Sequence, residues 1–92
     1  MNPRWLWLAA GDLENVFDHI AEDDIDAAER TVDTILDAVE CLVEFPGSGR
    51  PGRVVETREL VVGTHIVAYR VRDGIVEILR VLHRRRKWPD IL

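Results

Sequence analysis

The sequence predicts an α+β fold in which a short N-terminal strand and an antiparallel helical hairpin pack on a small antiparallel β-sheet. Apolar residues recur at helical spacing in the first half, whereas the second half alternates in short runs separated by turn residues. Charge divides the chain at the same place: residues 1–45 hold 12 acidic and two basic side chains, and residues 46–92 hold five and ten. The net charge of −5 therefore conceals a dipolar molecule. At this length we expect one domain, residues 1–92.

The N-terminal segment is predicted to begin with a strand and continue as a helix. Trp5 to Leu8 alternates so that Trp5 and Trp7 share a face, and Trp7 is expected to pack in the core. Ala9 to Glu22 has the spacing of an amphipathic helix. Its apolar stripe consists of Leu13, Val16, Phe17, Ile20 and Ala21.

A second helix is predicted from Ile25 to Val43, with Asp23-Asp24 as the break and the N-cap. The two-residue break implies an antiparallel hairpin, and the acidic outer face is interpreted as solvated. Cys41 is the single cysteine, so no internal disulfide can form. Because apolar residues flank it at helical spacing, we expect it to be buried and unreactive.

A loop and three antiparallel strands complete the predicted fold. The loop, Pro46 to Arg53, is interpreted as a connector; phosphate binding by its glycines with Arg50 and Arg53 is the alternative. The predicted strands are Thr57 to Val62, Thr64 to Val71, and Ile75 to Leu82, with an Asp73-Gly74 hairpin turn before the last. The last strand is apolar on both sides, so one face needs cover from a partner or from the N-terminal strand.

Several classes of protein are disfavoured by the residues. No run of 18 apolar residues predicts a membrane span, and the N-terminus does not have the pattern of a signal peptide, so we expect a cytoplasmic protein. His19, His65 and His83 are far apart and lack cysteine partners, which predicts no metal site. No phosphate-loop or dinucleotide glycine pattern occurs, and no cofactor is expected.

Basic residues carry most of the functional signal. Arg58, Arg70, Arg72 and Arg80 lie on the predicted strands, and the last strand runs into His83 and then Arg84, Arg85, Arg86, Lys87 and Trp88. Guanidinium groups on a rigid sheet suit phosphate backbones or acidic protein surfaces. The alternative is that the strand arginines are solvated and pair with acidic residues. His83 beside them has the chemistry of a general acid or base, although a lone histidine at a strand end is more often structural.

The ordered motifs along the chain resemble the RelE/ParE superfamily of toxins from type II toxin–antitoxin systems, and its ParE branch in particular. The motifs that carry the resemblance are Trp7 with Ala10 and Asp12-Leu13; Phe45-Pro46 with Gly49-Arg50-Pro51-Gly52; Thr57 to Val62; Ala68-Tyr69-Arg70-Val71; and Ile78 to His83 with Arg84 to Arg86. The superfamily fold that the resemblance implies is a helical hairpin on a small antiparallel sheet.

The resemblance implies two different activities, depending on the branch. ParE-like members poison DNA gyrase without cutting RNA, and RelE-like members cleave mRNA on the ribosome. RelE-like nucleases are rich in lysine and basic overall, whereas this chain has one lysine, a negative net charge and no tyrosine near its C-terminus. We therefore expect a gyrase inhibitor and not an enzyme, with Arg84, Arg85, Arg86, Lys87 and Trp88 contacting the target.

Two alternatives remain open at this point. A nuclease would use His83 as the acid or base and Arg58 and Arg70 as the phosphate clamp, with Glu56 or Glu59 as a further carboxylate. A decayed relative would bind only its antitoxin and help to regulate their shared promoter.

The expected partner is a ParD-like antitoxin in a hetero-oligomer, with an extended acidic-to-apolar segment that orders on binding. We expect Arg58, Arg70, Arg80, Val76 and Ile78 to form its binding surface. Any contact with DNA would be indirect, through the antitoxin. The expected phenotype is growth arrest on expression, relieved by the partner, in a system that stabilises a plasmid or chromosome.

Overall fold

The computed structural model describes residues 2–85, which form two helices and one five-stranded sheet. In chain order the elements are β1 (Arg4–Trp5), α1 (Trp7–Ala21), α2 (Ile25–Glu44), β2 (Arg50–Pro51), β3 (Arg58–Val62), β4 (His65–Arg72) and β5 (Ile75–His83). The strand order is β1-β5-β4-β3-β2. Neither helix is long and apolar enough to cross a membrane. The predicted α+β class and helical hairpin are confirmed.

The sheet is mixed and not wholly antiparallel. β1 pairs in parallel with β5, whereas β2 to β5 pair with antiparallel neighbours. β2 was not predicted, because its two residues, Arg50 and Pro51, lie inside a loop rich in glycine and proline. β1 extends the sheet at its edge, so the alternative in which this strand covers a sheet face is wrong.

The first helix begins two residues earlier than predicted, and this changes the position of Trp7. Leu6 donates its N–H to the carbonyl of Ile78, and its own carbonyl accepts from the N–H of Ala10, so the chain leaves the sheet and enters α1 at this residue. Trp5 packs against the core, but Trp7 is 82% exposed. The prediction of Trp7 as a core residue is therefore wrong.

The second helix agrees closely with its predicted bounds. The side chain of Asp24 accepts a hydrogen bond from the Ala27 N–H, which confirms the predicted N-cap. Its buried residues are Ala28, Ile35, Val39 and Leu42. Cys41 is exposed, so its predicted burial is wrong. It lies about 130° around the helix from the centre of the face formed by Ala28, Ile35, Val39 and Leu42.

A β-bulge in β5 decides which of its side chains face the helices. Ala68 pairs with Arg80 and Tyr69 with Ile78, so Leu79 is the additional residue. Unbroken alternation places Leu82 with Val76 and Ile78, but the bulge shifts the phase and brings Val81 into their cluster instead. Ala68 and Leu82 form a separate cluster with Val54 on the opposite face.

Turns and glycines agree with the predicted hairpins. Asp73 and Gly74 both have positive φ angles, 54° and 75°, as expected for a two-residue turn of this composition. Two antiparallel pairs, β3 with β4 and β4 with β5, then hold the C-terminal end of β5 beside the start of β4. This places His83 opposite His65.

Candidate interaction and catalytic residues

The three residues proposed for a nuclease do not meet in the structure. His83 pairs with His65 at one end of β4, whereas Arg58 pairs with Tyr69 four residues further along. Four residues of strand span about 13 Å. Arg70 is more distant still and lies on the opposite face from Tyr69, because neighbouring residues of a strand point to opposite faces. One phosphate group therefore cannot contact all three side chains in this arrangement.

The ring of His83 has a defined hydrogen bond. Its Nδ1 accepts from the backbone N–H of Arg85 at 3.2 Å. The neutral imidazole then carries its proton on Nε2, so the exposed nitrogen is a donor and not a base. The ring also contacts His65 edge to face, with 5.6 Å between the ring centroids.

The glutamates considered as catalytic partners lie away from His83. Glu59 is 2% exposed, pairs with Arg50 at 3.5 Å and Arg53 at 3.6 Å, and accepts from the Arg53 N–H. Glu56 lies before β3, at the end of the sheet opposite His83. Neither carboxylate is placed to assist His83.

Backbone groups of the loop from Pro46 to Arg53 form hydrogen bonds with residues of the sheet and of the segment before β3. The Gly49 N–H donates to the Tyr69 hydroxyl at 2.8 Å, and that hydroxyl donates to the Pro46 carbonyl at 2.7 Å. Arg58 donates to the Gly49 carbonyl, and the Gly52 N–H donates to the Thr57 carbonyl. These contacts support the interpretation of the loop as a connector, because the N–H groups of Gly49 and Gly52 are already bound.

Three members of the predicted antitoxin surface are buried. Val76 and Ile78 belong to the core cluster between the sheet and the helices. Arg80 is 7% exposed and binds Asp12 of α1, with Nε to Oδ2 at 2.7 Å and Nη2 to Oδ1 at 2.9 Å. Asp12 also accepts the Val81 N–H at 3.0 Å, and it raises the pKa of Arg80. Because Val76 and Ile78 face the helices and Arg80 is held in this ion pair, these three residues do not form an exposed binding surface.

A row of charged side chains crosses the face of the sheet that is opposite the helices. Glu77 lies between Arg4, at 3.3 Å, and Arg70, at 2.6 Å, on the neighbouring strands. The Arg70 hydrogen bond is the main cause that lowers the pKa of Glu77, and the charges of Arg70, Arg72 and Arg4 add to it against desolvation. We call Arg4, Arg70, Arg72 and Glu77 the basic row, because three cations surround one carboxylate.

An apolar groove lies beside the basic row. It runs between the start of α1 and the segment before β3, with a volume of about 310 Å³. Its lining includes Leu6, Trp7, Leu8, Val54, Val55, Arg70 and Leu79. Trp7 and Val55 are 82% and 88% exposed. The sequence did not predict this groove, because the alternation of Trp5 and Trp7 indicated a strand. The position of Trp7 just before the apolar stripe of a helix was the feature that could have indicated its place at the start of α1.

The predicted target-binding segment is described only in part. Arg84 and Arg85 are exposed and follow β5 directly. The Arg84 N–H donates to the Thr64 carbonyl at 2.8 Å, which fixes the start of the segment against the turn before β4. Arg86, Lys87 and Trp88 lie outside the described residues.

The three histidines converge, although they are far apart in the sequence. His19, His65 and His83 line one cleft between α1 and the paired ends of β4 and β5. Within residues 2–85, however, no group of three or more His, Cys, Asp or Glu side chains is placed to hold a metal ion.

Comparison with known proteins agrees with this fold. A family model described as the ParE toxin of the type II toxin–antitoxin system parDE matches residues 4–88. The chain is 47% identical to the putative toxin Y4kP of Sinorhizobium fredii, over 97% of this chain and 94% of that protein. It is 33% identical to toxin RelE2 of Caulobacter vibrioides, over 89% of this chain and 93% of that protein.

Solved structures of toxin–antitoxin complexes have the same fold. A chain of the chromosomal ParDE system from P. aeruginosa superposes with a TM-score of 0.80 at 30% identity, covering 90% of this chain and 95% of that one. A chain of the RelBE2 complex from Mycobacterium tuberculosis gives 0.67 at 26% identity, covering 90% and 96%. The protein belongs to the ParE toxin family of type II toxin–antitoxin systems, within the RelE/ParE superfamily.

Proposed function

We propose that this toxin inhibits DNA gyrase by binding to it, without hydrolysing a bond. The observation that carries the proposal is the separation of the three residues along the strands. Arg58 lies about 13 Å of strand from His83, and Arg70 lies further still. Phosphodiester cleavage needs the acid, the base and the cationic clamp around one phosphate. The hydrogen bond from the Arg85 N–H to His83 Nδ1 adds support, because it leaves the proton of the neutral ring on Nε2, and this nitrogen then cannot act as the base. A gyrase target also implies action in the cytoplasm.

The proposed contact with gyrase is the basic segment Arg84 to Lys87 with Trp88. Arg84 and Arg85 are exposed at the end of a rigid strand, and arginine is a residue that recurs at the centres of protein interfaces. The test is gyrase supercoiling in the presence of purified toxin. We expect inhibition by the full chain and its loss when Arg84 and Arg85 are both changed to Gln. Unchanged supercoiling at a high excess of the full chain would refute the proposal.

The proposed antitoxin site is the apolar groove together with the basic row. An extended segment that carries apolar and acidic residues matches both, because Trp7 and Val55 offer exposed apolar surface beside three arginines. The structural similarity to chains of toxin–antitoxin complexes supports such a partner. This site replaces the surface predicted from Arg58, Arg80, Val76 and Ile78 and retains Arg70.

The antitoxin site is tested by calorimetric titration with the product of the adjacent reading frame. Trp7→Ala is expected to weaken binding by about 30-fold, the effect of removing an anchor worth about 2 kcal/mol. Ile25→Ala is the matched control, because Ile25 is exposed on the helical hairpin outside the groove. Equal affinities for the Trp7→Ala variant and the unaltered chain would exclude the groove as the site.

A ribosome-dependent mRNA endonuclease is the second candidate. Its specific support is the similarity to a relative named toxin RelE2 and to a chain of the RelBE2 complex. A nuclease that relies on His83 for proton transfer loses toxicity by about 100-fold or more in His83→Ala. The gyrase proposal instead expects this variant to arrest growth as the unaltered chain does.

A further inference from the structure

The cleft that contains the three histidines has the donors of an anion site. Asn15 and His19 come from α1, and Thr64, His65 and His83 come from the paired ends of β4 and β5. The cleft has a volume of about 520 Å³. A second cavity adjoins it, shares Thr64 and His83, and is otherwise lined by Arg84 and Arg85. Together these side chains offer amide, hydroxyl, imidazole and guanidinium donors in one place.

The carboxylate in the cleft does not oppose an anion. Asp12 lines the wall, but both of its oxygens are bound by Arg80, and one also accepts the Val81 N–H. On the other side of His65, Arg30 of α2 lines a neighbouring cavity. Apart from Asp12, the side chains that line this cleft and the two neighbouring cavities are therefore cationic or carry no carboxylate.

We propose that this histidine cleft binds the phosphate group of a nucleotide or of a nucleic-acid backbone. His83 presents Nε2–H as a donor, since Nδ1 accepts from Arg85. Thr64 adds a hydroxyl within 3.3 Å of His65 Nδ1, and Arg84 and Arg85 supply permanent charge at the adjoining cavity. Guanidinium groups and partly buried donors form the strong, charge-assisted hydrogen bonds that phosphate favours. The proposed site is distinct from the groove and the basic row, but it shares Arg84 and Arg85 with the proposed gyrase contact.

The site should bind anions more tightly when His65 is protonated. Burial, followed by the nearby His83, lowers the pKa of His65, so this ring is neutral near neutral pH in the empty cleft. A bound dianion favours the imidazolium form, so binding takes up a proton. Sulfate is the probe for this dependence, because it stays a dianion where phosphate itself titrates.

The experiment is NMR titration of the full chain with sulfate, read from the imidazole signals. We expect a saturable shift at His65 and His83, and binding at least about fivefold tighter at about pH 5.5 than at about pH 7.5. His65→Gln cannot take up the proton that binding requires, so its pH dependence should be smaller. Arg85→Gln should weaken binding about fivefold.

Arg30→Gln is the control with the same change in net charge, and its affinity should match that of the unaltered chain. No saturable shift, no pH dependence, or an equal loss in Arg30→Gln and Arg85→Gln would each overturn the proposal. ADP and a short single-stranded oligonucleotide then distinguish the sources. If ADP binds more tightly than sulfate, the ligand is a nucleotide. If only the oligonucleotide binds more tightly than sulfate, the ligand is a nucleic-acid backbone. If neither exceeds sulfate, a phosphate ester is not the ligand.

Discussion

The ion pair between Asp12 and Arg80 is expected to supply a large part of the stability of this small domain. The two side chains are 11% and 8% exposed, and Asp12 accepts two hydrogen bonds from the guanidinium and one from the Val81 N–H. Removing one partner of a buried pair costs about 3–5 kcal/mol. Because both side chains retain slight exposure, we expect Asp12→Ala to cost about 3 kcal/mol. A domain of this length has a total stability of about 5–14 kcal/mol.

The measurement is urea unfolding followed by tryptophan fluorescence. Arg4→Ala is the control, since Arg4 is 59% exposed and Glu77 keeps its shorter contact with Arg70, so we expect a loss of about 1 kcal/mol or less. The double variant Asp12→Leu/Arg80→Met should recover part of the loss, because an apolar pair removes the buried charge, whereas the Val81 N–H still loses its acceptor. A loss below about 1 kcal/mol in Asp12→Ala would show that the pair is not a buried, coupled interaction.

Three further predictions concern the loop anchor and the titrating groups. Tyr69→Phe leaves the Gly49 N–H without its acceptor and should cost about 1–3 kcal/mol in urea unfolding; no change would contradict the anchoring role. The pKa of Glu77 is lowered in the fold, so its contribution to the free energy of unfolding is complete above about pH 4.3 and is lost as pH falls through the folded value. Glu77→Gln should reduce this loss of stability in acid, and an identical pH profile of stability would exclude a role for Glu77. The pKa of His65 is also lowered, so below about pH 6.5 the unfolded chain takes up a proton that the folded chain resists, and stability falls; His65→Gln should flatten stability between about pH 7 and pH 5, and an unchanged slope would count against this.

Periodicity in the sequence predicts the elements of this fold but not all of their faces. The α2 helix and its Asp24 cap follow from local pattern, and the Asp73-Gly74 turn follows from local backbone preference. The bulge at Leu79 does not, because one additional residue in a strand leaves no mark in an alternating apolar run. Since every residue after the bulge changes face, Arg80 is separated from Val76 and Ile78, with which unbroken alternation would place it.

The candidate sites show the same division between local and long-range information. The exposure of Arg84 and Arg85 agrees with their charge. The meeting of His19 with His65 and His83 depends on the packing of α1 against the sheet, which sequence spacing alone does not contain. The exposure of Trp7 depends on where β1 ends, and a hydrogen bond between Leu6 and Ile78, 72 residues apart, decides that.

Transcript-end mapping in cells that express the toxin tests the central claim most directly, because it detects hydrolysis independently of any binding partner. If the toxin inhibits gyrase by binding, growth arrest occurs without new mRNA ends, and the His83→Ala variant arrests growth in the same way. New cleavage ends that appear with the unaltered chain and disappear in His83→Ala would contradict it.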